Sequence, residues 1–488
     1  MNVDHPICTV LRLVLETTAP LSIASGRADP RFDVMLARDA NGLPFLPGTA
    51  LAGVLRGLAA ATGEDDTRVE DLFGREARRA AARPTEPAGL EASRLQVSHG
   101  LIHDWRDRPV EETLASFDPN DAILALAAQV QPDRRDNVRL SHRGVVDGRG
   151  KFERAILPPG YRFTTELTLW SPDPDGAAVD IALLRRLIVH PAFRLGGATR
   201  RGCGAMKPVQ AWTATWDLRE PEGLLDHARH DRRLAAIPPK DGPLAAIELA
   251  ASAAGDCLTV NLALTPEDFW RVGQGDEPLV ARAGRTPDLL QVTGRRVVWK
   301  GHDAVLTRDI VLPATTIKGA LAHRVAFHFN RLNGRFVDQK GGVADDNPAV
   351  EALFGHVHQR EGSAVDAPEN EARAGRVLFD DARLSCDKIG PMVGHMTHNS
   401  IDRFTGGVRE GALYEEELIF DQPVQLIMTV MRPQDPALEG TIRQALVRAL
   451  DDLLGGRLGL GAGVNKGHGF FSGERGALAP LREWAAAS

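Results

Sequence analysis

The sequence predicts an α+β protein made of two tandem ferredoxin-like units, and three observations carry that prediction. Residues 43–56 (LPFLPGTALAGVLR) join a strand end, a Pro-Gly turn and an amphipathic helix, and residues 312–324 (LPATTIKGALAHR) repeat the Pro, the Thr, the Gly and the terminal Arg. Each copy is followed by a second shared phrase, VEDLFG at 69–74 and VEALFG at 350–355, so the chain is an internal duplication. Strands and helices interleave in each half in a βαβ-β-αβ order rather than a long βα alternation. The division this gives is a first unit over 1–216, a linker over 217–243 and a second unit over 244–488.

Taken in order, residues 8–26 alternate apolar and polar positions before a Gly, as a half-buried strand does, and residues 256–275 are their counterpart. Asn41-Gly42 closes a hairpin, and the threonine of Pro47-Gly48-Thr49 is expected to cap the helix that follows. The basic run at 75–83 reads as a solvated helix face. Strands are expected at 93–101 and 375–384, and a polar connection as long as 103–137 is in compact domains usually functional or disordered. Residues 138–169 parallel 399–430, each a Gly-rich basic turn leading into strands, and helices follow near 181–187 and 440–454. Both halves close on a glycine loop, RLGGATRRGCG at 194–204 and RLGLGAGVNKGHG at 457–469. The linker is charged and Pro-bearing, with room for a short helix.

Composition limits the function. The chain has 488 residues, 43% hydrophobic and 25% charged, enough for two well-packed cores. No apolar run reaches the ~18 residues of a membrane span and no signal peptide is visible, which predicts a cytoplasmic protein that does not engage a membrane. Cys8, Cys203, Cys257 and Cys386 have no CxxC spacing and read as buried thiols in a reducing compartment. A net charge of -7 argues against a surface that binds nucleic acid everywhere, though a local basic groove is compatible with it.

The glycine loops allow close backbone approach to a phosphate, with Arg200, Arg201 and Lys466 supplying charge. Neither has the GxxxxGK[ST] order nor the position of a first βα turn, so a nucleotide-binding metabolic enzyme is remote. Cations cluster at 131–154 and recur as Arg295, Arg296, Lys300 and Arg403 in the second half, as phosphate contacts require. Aromatics are only 5%, so base stacking is confined to points such as Phe152, Trp299 and Phe404. His395 and His398 lack a third ligand at a zinc-like interval.

The duplicated Pro-Gly-Thr helix, LeuPheGly, the segment NSIDRFTGGVREGALYEEE at 399–417 and the closing glycine loops together resemble the repeat-associated mysterious protein (RAMP) superfamily. Within it they resemble the backbone subunits of type III CRISPR effector complexes, and a fused pair is similar to the type III-D branch. The resemblance implies a modified ferredoxin-like, RNA-recognition-motif-like fold in each half, an RNA-binding groove and a projecting hairpin thumb, the first of which is expected in the 103–137 connection. It also implies guide RNA, target RNA and other CRISPR effector subunits as partners. Residues matched to RNA binding are Arg31, Thr49, Arg56, Arg139, Arg143, Arg200, Arg201, Lys300, Lys318, Arg324, Arg403 and Lys466. In members that cut target RNA an acidic residue lies in the loop before the hairpin. Asp33, six residues ahead of Asp39, holds that place, and Asp303, six ahead of Asp309, is its counterpart by spacing. Both would be metal ligands for Mg or Mn or general bases, with Arg31 stabilising developing charge. The alternatives are a structural RNA-binding subunit without catalysis and a guide-RNA-processing endoribonuclease.

Overall fold

The computed structural model describes residues 4–26, 33–75, 92–140, 146–235, 238, 242–249, 255–273, 275–282, 285–336, 347–358, 371–387 and 389–487. Most of the basic run at 75–83 therefore lies outside the described residues. In the first half the elements are β1 (Ile7–Thr17), α1 (Gly48–Ala61), α2 (Asp66–Phe73), β2 (Leu95–Val97), β3 (Leu101–Ile102), α3 (Ala122–Ala127), β4 (Asp133–Leu140), β5 (Val146–Ile156), β6 (Arg162–Ser171), α4 (Pro174–Ile188) and β7 (Met206–Asp217). The linker region holds α5 (Pro221–Arg229) and β8 (Ala245–Ala246). The second half continues with β9 (Cys257–Pro266), β10 (Thr293–Lys300), β11 (Asp303–Leu312), α6 (Ala314–Leu332), α7 (Pro348–Phe354), β12 (Gly355–His358), β13 (Glu371–Ala374), β14 (Val377–Phe379), β15 (Ala382–Ser385), β16 (Val393–His398), β17 (Tyr414–Ile419), β18 (Val424–Met431), α8 (Gly440–Leu454), β19 (Phe471–Ser472) and α9 (Ala479–Ala486).

Each half contains one antiparallel sheet of the same topology. The order is β2-β6-β1-β7-β8 in the first and β14-β18-β9-β19 in the second. With the edge strand β8 set aside, both place the second, third, first and fourth strands of a βαββαβ unit side by side, the ferredoxin-like order. Helices α1 and α4, or α6 and α8, cover one face, and the apolar residues of the strands meet them in two separate cores.

The two sheets differ on their other face. β9 alternates buried and exposed positions, as a sheet with one wet face does, whereas β1 is buried along almost its whole length. The difference is made by the linker, which folds back over the first sheet. There Arg12, 2% exposed, donates to Glu166 at 2.9 and 2.7 Å and to the Asp231 carbonyl at 2.7 Å, while His230 closes on the same carboxylate at 3.2 Å. Residues 245–246 extend the first sheet beyond the division drawn from sequence.

The shared phrases have local reasons. LeuPheGly ends α2 and α7 alike, with Gly74 at φ 87° and Gly355 at φ 79° turning the chain away. The threonine cap does not form. Pro47 and Pro313 occupy the N-cap positions without a side-chain bond, and the first helical N–H is taken from across the sheet, by His99 Nδ1 at Gly48 (3.0 Å) and by Asp381 Oδ1 at Ala314 (2.9 Å).

The halves meet head to tail. Arg135 on β4 reaches Asp381 with bonds of 3.1 and 2.6 Å, Arg194 pairs with Asp380 at 2.7 Å, and Arg200 Nε donates to the Gly375 carbonyl at 2.6 Å. The β10–β11 hairpin then clasps the first half. Val297 N–H donates to Pro159, Trp299 Nε1 to the Gly160 carbonyl (2.7 Å) and Ala304 N–H to Trp105, and Val297 is 3% exposed within the first core.

Burial alone would raise the Asp381 carboxyl, but Arg135 and Arg383 beside it hold it below the usual carboxylate range. That stabilisation is complete above the unfolded pKa of ~3.9 and is lost as pH falls through the lower folded value. Asp381→Ala strands the Arg135 guanidinium in the junction, leaves Arg383 with Asp309 alone and is expected to cost about 3–5 kcal/mol. A thermal-unfolding midpoint unchanged from the parent protein would contradict this.

Candidate nucleic-acid interface

Asp33 is exposed and fixed by backbone. Its Oδ2 accepts the Glu153 N–H at 2.9 Å, while Val34 makes a parallel bridge to Arg154 and accepts from Ala155 N–H at 3.0 Å. The loop is thus stitched to the base of the β4–β5 hairpin. The second half repeats this arrangement at Asp288. Asp288 Oδ2 accepts the Glu415 N–H at 2.8 Å, Leu289 bridges Glu416 in parallel, and Leu289 accepts from Glu417 N–H at 2.9 Å. The flanking bonds match as well, Ser25 to Met35 and Ala37 to Ile23 against Gly275 to Leu290 and Val292 to Val272.

Asp303 therefore does not occupy the place of Asp33. It begins β11 at the tip of the clasp, opposite Lys300 in register, close to Trp105 and Asp107 of the first half. The match between the pairs Asp33/Asp39 and Asp303/Asp309 is a coincidence of spacing. Asp39 accepts from Asn41 and Leu43 N–H in a short turn, whereas Asp309 is fully buried against Arg296 and Arg383. The inserted clasp, 293–312, displaced the spacing. The signal available in the sequence was an Asp directly before an apolar run, Asp33-Val-Met-Leu and Asp288-Leu-Leu.

The two-stranded hairpins are β4–β5 and β16–β17, and the first begins within the last residues of the 103–137 connection, at Asp133. The earlier part of that connection is anchored by Asp121, which caps α3, and by His103, buried against Thr164 and Asp107, while 111–116 is exposed. At the second hairpin's tip Arg403 is exposed beside Phe404, which is 99% exposed, and Ile401, Val408 and Leu413 are exposed around them.

Most of the predicted cations fall into three groups. Arg31 and Arg143 lie outside the described residues, as does the side chain of Arg139, a residue of β4. A second group is held by other protein groups. Arg324 donates to Asp452 at 2.5 Å, and Lys466 reaches the Tyr414 hydroxyl at 2.5 Å and Glu416 at 3.4 Å. Arg324 also lies eleven residues past its proline where Arg56, half-buried on α1, lies nine past its own, so the two are not equivalent. Thr49 is exposed in the first turn of α1, and Lys300 is exposed on the clasp.

The third group converges. Arg200 and Arg201, on the short 3-10 turn Thr199–Arg201, meet Lys318 of α6 and Arg154 of β5 where the halves join. Burial first, then the Arg201 and Arg200 guanidiniums, push the Lys318 ammonium down to about 8. Burial, then Arg154, lowers Arg201 too. Crowded cations of this kind favour an anion. Arg201 also lies over the Phe152 ring at 5.0 Å.

The glycine loops are tied to their own half. A Cβ at Gly196 or Gly461 would meet the Ser22 or Arg271 carbonyl at 2.4 or 2.3 Å, and Gly197 and Ala462 N–H donate to those same carbonyls at 2.8 Å. Their glycines serve close packing of the loop, and the charge comes from the neighbouring side chains.

One metal-like group, missed in the sequence, is His190, Asp256 and Cys257. His190 Nδ1 accepts the Ala192 N–H at 3.1 Å, so Nε2 carries the ring hydrogen and donates to Asp256 at 3.2 Å. A ligating histidine needs the opposite arrangement, so this is a hydrogen-bonded tie between α4 and β9. His398 pairs with Glu416 and His395 lies 3.9 Å from Glu417. No described helix is long and apolar enough to cross a membrane.

No curated protein matches the chain at a significant level. The family model of the RAMP superfamily matches twice, over residues 14–207 and 299–472, one stretch in each ferredoxin-like half. The chain belongs to the RAMP superfamily of CRISPR-associated RNA-binding proteins, as a tandem member carrying two RAMP units.

Proposed function

We propose that the chain is a backbone subunit of a type III-like CRISPR interference complex that holds guide RNA and paired target RNA and cuts the target beside two loops. The observation that carries this is the repeated fixation of one exposed aspartate, Asp33 and Asp288, at the base of a projecting hairpin in each half. Asp288 takes the second role in place of Asp303.

The chemistry needs little from the protein. The 2'-oxygen of one nucleotide attacks the adjacent phosphorus, the bond to the 5'-oxygen breaks, and a cyclic phosphate and a 5'-hydroxyl remain. Asp33 and Asp288 are placed to take the proton from the 2'-hydroxyl or to hold a divalent ion, and water returns a proton to the leaving oxygen. An Mg2+ or Mn2+ ion at either aspartate would be held by that carboxylate, waters and substrate phosphate. Such an ion supplies neutralisation of charge on the phosphate. The cations around Lys318 anchor the RNA backbone at the junction, and Phe404 is placed to wedge between bases.

In a complex assembled with its neighbouring subunits and guide, labelled target RNA is expected to be cut at two positions. Asp33→Ala is expected to abolish one cut and Asp288→Ala the other, each by at least about 100-fold, with Asp303→Ala leaving both. Target bound but uncut by the unmodified complex would make the subunit a scaffold.

Binding to Lys318 has a defined pH sign. Its ammonium, near 8 when free, rises on phosphate contact, so affinity is full below that value and falls above it. Between pH 7 and 9 the Lys318 contribution is expected to drop about tenfold, and Lys318→Arg is expected to flatten the profile. Filter binding across that range checks it. The isolated chain is expected to bind RNA weakly, with a steep loss of affinity as salt rises.

A further inference from the structure

Lys318 differs from the other described lysines. Lys151, Lys207 and Lys466 pair with Glu153, Glu16 and Glu416 at 2.9, 2.9 and 3.4 Å, and Lys300 is exposed on the clasp. Lys318 is half-buried on α6 and has no carboxylate partner among the described residues. Its Nζ is fixed by donation to the Phe354 carbonyl at 2.9 Å, a bond that a neutral amine makes as well as an ammonium does.

The charged groups around it are of one sign. Arg200 and Arg201 act on it from the 3-10 turn, and Arg154 stands beside Arg201. Their described partners are uncharged: Arg200 Nε donates to the Gly375 carbonyl at 2.6 Å, Arg154 Nη1 to the Ser22 hydroxyl at 3.2 Å, and Arg201 covers the Phe152 ring. Arg154 Nε is buried with no acceptor. Asp381, the acid at the start of α6, is already taken by the Ala314 N–H, by both arms of Arg135 and by Arg383 at 3.5 Å.

Burial and neighbouring guanidiniums both favour the uncharged, nucleophilic form of this amine. The same guanidiniums favour a product that carries negative charge, and addition to carbon dioxide meets both conditions. We propose that Lys318 is a carbamylation site, whose free amine takes up carbon dioxide and is held as the carbamate by the guanidiniums of Arg200 and Arg201. The Nζ lone pair forms the N–C bond, one C=O pair moves onto oxygen, and the Nζ proton passes to water, so no oxidant or further reagent is consumed. Acylation by an acyl phosphate would use the same amine but leave a neutral amide, and the guanidiniums would remain without an anion.

The test uses the full chain free of RNA, so its outcome is read separately from RNA anchoring. The protein is equilibrated with 13C-labelled carbon dioxide and bicarbonate, the carbamate is trapped by a trialkyloxonium salt, and the peptides are mapped by mass spectrometry. The ester tag is expected on Lys318 at least about tenfold above Lys300 and Lys466. A carbamate carbon signal in the NMR spectrum of the intact protein is expected to vanish in Lys318→Arg. Arg201→Ala is expected to lower the occupancy about tenfold at limiting carbon dioxide. Arg200→Ala serves as the second variant if the first disturbs folding, which circular dichroism reads. A tag missing from Lys318 or equally abundant on Lys300 would overturn the proposal, as would unchanged occupancy in both arginine variants while folded.

Discussion

The arrangement of the two halves depends on one buried carboxylate. Asp381 accepts the first N–H of α6, takes both arms of Arg135 from the other half and lies beside Arg383. A lone carboxylate in such a place would be neutral or unfolded; here three donors keep it charged. Because it caps the helix and bonds the neighbouring unit at once, the orientation of α6 and the seating of the first half's hairpin are set together. Lys318, one turn further along α6, is brought among Arg200, Arg201 and Arg154 as a result.

The duplication was legible because the repeated phrases answer local backbone demands. Pro47 and Pro313 start helices, and Gly74 and Gly355 end them at positive φ, so these residues stay recognisable whatever surrounds them. The ferredoxin-like topology followed from strand and helix order alone. The loop aspartate of the second half was not legible by spacing, since the clasp lengthened one hairpin and the pairing with Glu415 spans 127 residues. The junction was invisible for the same reason: Arg135 and Asp381 stand 246 residues apart, and neither lies in a motif. The threonine cap failed because Pro47 and Pro313 hold the N-cap positions, which leaves Thr49 inside the helix, and His99 and Asp381 accept the first helical N–H instead.

The two halves have diverged in how they hold charge. Arg154 on β5 donates to the Ser22 hydroxyl, whereas its match Glu416 is met by Arg271, the match of Ser22, so the cation has moved from strand to loop. Lys466 and His398 also converge on that Glu416, while the corresponding Arg201 has no acid beside it among its described contacts. Among the described residues Arg154, Arg200, Arg201 and Lys318 therefore crowd together at the internal junction, whereas Lys466 in the second half is held by an acid.

The clasp also sets an order on synthesis. Val297 fills a place in the first core, with Trp299, Ala304 and Leu306 packed against it. The ribosome delivers the first half complete in its own strands long before these residues emerge, and until then an apolar socket near Pro159 and Gly160 stands open to water. The nascent first half is thus a folding intermediate by construction, with an adhesive surface that only its own later sequence covers.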